Sequence, residues 1–180
     1  MPISTIGSDG LASSAVTRPK IGYTGAVLQV VSTTKTDTFS TTASVFTDVT
    51  GLSVSITPTN SSSKILITLS MTIAGQNANG GAIYKFVRGS TDICVGDLAG
   101  SRPQASGGTP YISDANVYNT ISGSFLDSPA TTSSTTYKIQ VVGANAGGGV
   151  YVNRTQTDTN ASNFYNSRTA STITVMEIAA

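Results

Sequence analysis

Two alternating runs between residues 52 and 73 constrain this chain more than any other feature. Leu52, Val54 and Ile56 alternate with Ser53, Ser55 and Thr57, and Ile65, Ile67, Leu69, Met71 and Ile73 form the longest such run. Period two puts alternate side chains on opposite faces of a strand, so each run reads as a half-buried strand; a helix would need 3.6. The loop string Pro58-Thr59-Asn60-Ser61-Ser62-Ser63 separates them. The expectation is a hairpin joining the two.

The rest of the chain repeats this texture. Strands are expected at Ala26–Ser32, Ala82–Arg88, Asp92–Val95, Val117–Leu126, Tyr137–Val141, Val150–Val152 and Ile173–Ile178. Thr33–Thr38 is polar, and Thr47-Asp48-Val49-Thr50-Gly51 carries a turn signal. Gly100–Pro110 and Asp127–Ser134 read as loops, and Gly147-Gly148-Gly149 as a sharp break. Ser and Thr exceed a quarter of the residues, whereas Glu177 is the single glutamate. Threonine suits a pleated surface, and a helical protein needs the Lys and Glu that are scarce here. The fold class expected is all-β: a jelly-roll-like antiparallel β-sandwich over residues 26–180, with another Greek-key sandwich as the alternative topology.

Residues 1–25 differ from this pattern. They are polar, punctuated by glycine, and carry single apolar residues five apart: Ile6, Leu11, Val16 and Ile21. Such a stretch buries too little surface to fold alone. It is either a disordered tail or, the favoured expectation, an extended N-terminal arm whose spaced apolar residues dock into a neighbouring chain. It has no basic and apolar leader pattern, so the chain is expected to work without secretion, and no apolar run approaches the ~20 residues of a membrane span.

The composition closes most routes to chemistry. The 180-residue chain has no histidine and one cysteine, Cys94, which excludes Ser-His and Cys-His nucleophiles, zinc sites and an intrachain disulfide. Cys94, between Ile93 and Val95, is expected as a small buried hydrophobe. Asp92, Asp97, Asp114 and Asp127 leave a paired-carboxylate hydrolase open in principle, but aspartates in Ser/Thr/Gly-rich loops are more often turn formers. No cofactor is expected, and the chain is read as non-enzymatic. Charged residues are 11% and the net charge is +1. That gives no basic stripe for nucleic acid and little repulsion between copies. Asn60, Asn153 and Asn160 begin glycosylation sequons, read as chance in so Ser/Thr-rich a chain. Tyr111, Tyr118, Tyr151, Phe164 and Tyr165 lie in or beside the loops of the second half. Core or inter-subunit packing is one reading of them; a distal surface that stacks on a sugar is the other.

Three segments resemble virion proteins of tailed bacteriophages, cyanophages in particular: IGSDGLASSAVTRPKIGYTGAVLQVVSTTKTDTFSTT, FTDVTGLSVSITPTNSSSKILI and the closing STITVMEIA. In that group such modules occur as capsid decoration (cement) proteins and as C-terminal domains of tail fibres. The resemblance implies a homotrimer of jelly-roll or sandwich domains, assembled into the virion in the host cytoplasm and attached by the N-terminal segment. Partners would be other virion proteins, the major capsid protein first, or a host surface glycan. Fibres carry a long repetitive shaft before the tip, and only about 25 residues precede the domain here. That favours cement over a short fibre or receptor-binding module.

Overall fold

The computed structural model describes residues 24–76, 80–111, 113–143 and 148–180. Its strands form two antiparallel sheets, and the described residues contain no α-helix, only one 3-10 turn at Phe164–Asn166. Sheet 1 holds β1 (Val27–Lys35), β2 (Phe39–Thr41), β4 (Lys64–Gly75), β8 (Asn119–Asp127), β10 (Val150–Val152) and β11 (Ser171–Ile178). Sheet 2 holds β3 (Thr47–Ile56), β5 (Ala82–Arg88), β6 (Thr91–Ile93), β7 (Gly107–Gly108) and β9 (Thr135–Gly143).

The pairing register reduces the shorter strands to shared rows. β11 lies along residues 64–70 of β4 and β10 along residues 73–75, while β8 occupies the opposite edge. β1 and β2 then follow one another outside β11 and β10. Sheet 1 therefore reads β1/β2, β11/β10, β4, β8. Sheet 2 reads β3, β9, β5, and then β6 and β7 sharing the far edge of β5.

The alternating residues do what the pattern demands. Leu52, Val54 and Ile56 of β3 and Ile65, Ile67, Leu69, Met71 and Ile73 of β4 are all buried in one core. They are joined there by Tyr84 and Phe86 of β5, Ile139 and Val141 of β9, and Ile173 and Val175 of β11. The expected hairpin, however, is absent. β3 pairs with β9, and β4 pairs with β11, β10 and β8. Alternation tells that a strand has one buried face; it does not name the neighbour. These two strands face the same core from opposite sheets, and residues 57–63 bridge the gap of about 10 Å between layers.

Other sequence boundaries move for identifiable reasons. Thr47–Gly51 lies inside β3, where the register against β9 slips between Asp48 and Ser53. Gly51 has φ +81°, a conformation glycine adopts without strain, so the turn signal marks a bulge. β1 continues through the polar threonines to Lys35, whose amine reaches Asp37 at 2.9 Å although the side chain is buried. β8 runs from Asn119 to Asp127, two residues later at its start than expected, and β7 lies inside the glycine-rich loop. Cys94 is exposed, not buried: β6 ends at buried Ile93, and φ +52° at Cys94 turns the next side chain outward.

Two polar clusters tie the sheets together at the rim where β3, β5, β8 and β11 end. Arg88 of β5 donates from Nη1 to both Asp127 oxygens of β8, at 2.8 and 2.9 Å. The Tyr137 hydroxyl of β9 donates to Asp127 Oδ2 at 2.7 Å. Burial, and then that hydrogen bond, push the Tyr137 phenol far above its ordinary pKa. Glu177 of β11 is fully buried. Its Oε1 accepts from Thr59 N and Oγ1 at 2.7 and 2.8 Å, and its Oε2 from Gln29 Nε2 at 2.6 Å. The crossing loop 57–63 is thus clamped to the last strand.

Candidate binding surface at the loop end

Strand direction sorts the connections between two ends. Thr24–Ala26, residues 57–63, 89–90 and 128–134 and Ala179 sit at the rim just described. Residues 42–46, 109–111 and 113–118, with the last residues of β4 and β9, gather at the opposite end. Residues 153–170 also start there. β10 stops at Val152, the chain leaves the sheet, and β11 resumes the same row in the same direction at Ser171.

Asn153 makes that departure. It is fully buried with φ +61°, and its Nδ2 donates to the carbonyls of Lys35 and Asp37, both at 2.9 Å. Its Oδ1 accepts from Ser171 Oγ at 2.6 Å, and Ser171 Oγ in turn accepts from the amide of Thr72. Asparagine tolerates the left-handed region better than most residues. One side chain therefore joins three rows of sheet 1 where the excursion begins. The same burial removes Asn153 from the glycosylation sequons.

The excursion then crosses the outer face of sheet 1. Thr72 and Ala74 point outward on β4 yet are buried, and the amide of Thr157 donates to the carbonyl of Ala115 in the segment before β8. Asp158 pairs with Arg154 at 3.4 Å and also with Arg168, cross-linking the excursion.

Of the five aromatic residues singled out in the sequence, Tyr111, Tyr118 and Tyr151 belong to this end, and Phe164 and Tyr165 lie in the excursion. Tyr151 is half-buried on the outer face of β10, with the Arg154 guanidinium 4.6 Å from its ring centroid. It walls an open groove of about 520 Å³ with Ser40, Thr41, Thr42 and Ala43. Phe164 is 85% exposed and meets half-buried Tyr165 edge-on at 5.4 Å. Tyr111 is exposed and Tyr118 half-buried. Among the described residues no ring contact joins Tyr111, Tyr118 or Tyr151 to the Phe164–Tyr165 pair. These aromatics stand apart and form no single platform.

Sequence reading missed a polar component. Asn116 Oδ1, Thr155 Oγ1, Thr169 Oγ1 and both side-chain polar atoms of Asn166 are buried without a protein partner, all in the excursion or the segment abutting it. Buried polar atoms usually find a partner in protein or water, so this is where water or a polar ligand has most to offer. The only sequence signal was the local density of Asn and Thr.

The carboxylates considered for catalysis are dispersed. Asp92 pairs with Lys85 at 2.6 Å on the outer side of sheet 2, and Asp127 is held by Arg88 and Tyr137 at the opposite rim. Asp114 accepts from the amide of Asn116 as a turn former. No group of three or more His, Cys, Asp or Glu side chains among the described residues could hold a metal ion. Ile6, Leu11, Val16 and Ile21 lie outside the described residues. No family model matches the chain, and no curated protein matches it in sequence.

Proposed function

We propose that this chain is a non-enzymatic structural protein of a bacteriophage virion, a trimeric capsid decoration protein that stabilises the assembled shell through residues 1–25. The observation that carries the reading is the polarity of the sandwich. Thr24 and Gly25, where the described chain begins, lie at one rim, and the segments carrying Tyr111 and Tyr118 lie at the other. A module mounted on a surface by one end and presenting loops at the other has this layout. The row orders β1/β2, β11/β10, β4, β8 and β3, β9, β5, β6/β7 support a jelly-roll topology within the sandwich class. A protein that binds only the assembled lattice stabilises it by mass action, and a weakly charged surface favours association between copies.

A receptor-binding module at the tip of a short tail fibre is the second reading. Phe164, exposed in the excursion that also holds the buried unpartnered polar atoms of Thr155, Asn166 and Thr169, favours it, because sugars are bound by aromatic faces and convergent hydrogen-bonding groups. Locating the protein on intact particles with gold-labelled antibody, with its copy number against the major shell protein, separates the two. Label over the head at a high fixed ratio is expected. Label confined to the tail at a few copies would replace the decoration role with the receptor role.

A further inference from the structure

The two flanks of the sandwich are built differently. On one, β1 packs against β3. Gln29 of β1 donates to the carbonyl of Thr57 at 2.7 Å, and the buried Lys35 amine lies against Gly51 of β3. That flank is sealed. On the other, β8 forms the edge of sheet 1, while β6, β7 and the loop 94–106 between them form the edge of sheet 2. Among the described residues β8 has no comparable packing against β6 or β7. Ile121 and Phe125 point inward from β8 yet stay half-buried, whereas the inward residues Ile67, Leu69 and Met71 of the neighbouring β4 are buried.

The β8 edge also lacks the features that keep strand edges from joining other chains, which are usually a bulge, a proline or a lysine. β8 runs nine residues against β4 without a slip in register, and it holds no proline, no lysine and no charge before Asp127. The β1 edge, by contrast, carries a bulge between Val27 and Gln29. An apolar lane crosses the outer face of sheet 1, with Val30, Met176, Leu66 and Leu126 in register. It ends on the β8 edge at Leu126, which is 52% exposed.

Loop 94–106 stands beside this edge and is tied down at its base. The Ser106 hydroxyl donates to the carbonyl of Ile93 and accepts from the amide of Phe86. Gly96 N donates to the carbonyl of Ala105, and Gln104 Nε2 donates back to the carbonyl of Gly96 at 2.7 Å. The loop nevertheless presents Leu98 at 76% exposure. Asp97 and Arg102 are exposed on it with opposite charges, and neither enters an ion pair among the described residues. We infer that copies of this chain meet through the flank formed by β8 and loop 94–106, with Asp97 of one copy paired to Arg102 of the next. A second copy is the occupant because the flank supplies both signs of charge itself, beside an otherwise neutral strand edge. The contact covers Leu98, Phe125 and the open edge of β8. The inference rests on the proposed self-association and adds the face that performs it; the virion role does not enter.

Sedimentation velocity on the full-length protein over a range of concentrations tests it. Asp97→Arg and Arg102→Asp each set like charges against one another between copies and should raise the dissociation constant about tenfold. Combining the two substitutions should restore association. Ser122→Lys, exposed on β8, should weaken it, and Thr34→Lys, exposed on β1 at the sealed flank, should not. Flank variants that associate as wild type does, a combined exchange that rescues nothing, or equal weakening by Thr34→Lys would overturn the inference and leave the trimer standing. A wild-type chain that stays monomeric would overturn both. A dimer that responds to the same variants would uphold the flank and overturn the trimer.

Discussion

Glu177 shows how much one residue can decide. It is the only glutamate in the chain, it is fully buried, and it faces Gln29 and Thr59 where loop 57–63 crosses between sheets. Burial pushes its pKa up, but hydrogen bonds from Gln29 and Thr59 outweigh this and hold it below the ordinary value of 4.5. A pKa lowered on folding means that the ionised form favours the native state. The stabilisation is complete above the unfolded pKa and is lost as pH falls through the folded value. Glu177→Gln should cost about 1–3 kcal/mol at pH 7, with the difference from wild type narrowing as pH falls below the unfolded value and through the lowered folded one. Urea unfolding at pH 7 and pH 3.5 measures both. The sequence announced Glu177 by its scarcity but not its role, because its partners lie 118 and 148 positions away.

At the scale of elements, each strand is legible and its neighbours are not. Ile65 to Ile73 read correctly as a half-buried strand, yet its pairing with β8 and β11 instead of β3 depends on which sheet each strand enters. Periodicity carries no such information. The apolar lane had a faint sequence mark, since Leu66 occupies an outward position in a run otherwise alternating with Thr and Ser. Only the register shows that Val30, Met176 and Leu126 line up with it. Of the candidate site, the aromatics and their loops were legible. The rivet at Asn153 was not, because a sequon is all that its local sequence displays. Asn153→Ala should remove the partners of two carbonyls and of Ser171, and leave a non-asparagine at positive φ. About 3 kcal/mol of stability should be lost, and amide exchange at Thr72 and Thr169 should rise together. Exchange at only one of them would separate the excursion from the sheet.

For the whole molecule, the two sheets share one core and the pairings join distant parts of the chain, β1 with β11 and β3 with β9. Neither sheet can bury its inner face without the other. Unfolding should therefore follow a single transition, with coincident midpoints by far-ultraviolet circular dichroism and by tyrosine fluorescence, the chain having no tryptophan. Separate midpoints would show that one sheet persists alone. The interrupted row between Val152 and Ser171 has a different kind of consequence. Because β10 and β11 continue one line and Asn153 closes the sheet across the break, the two ends of the excursion are fixed by the sheet while its middle, residues 159–164, is exposed. Evolution, or an engineer grafting a foreign peptide, can rewrite that segment while the scaffold beneath it stays the same.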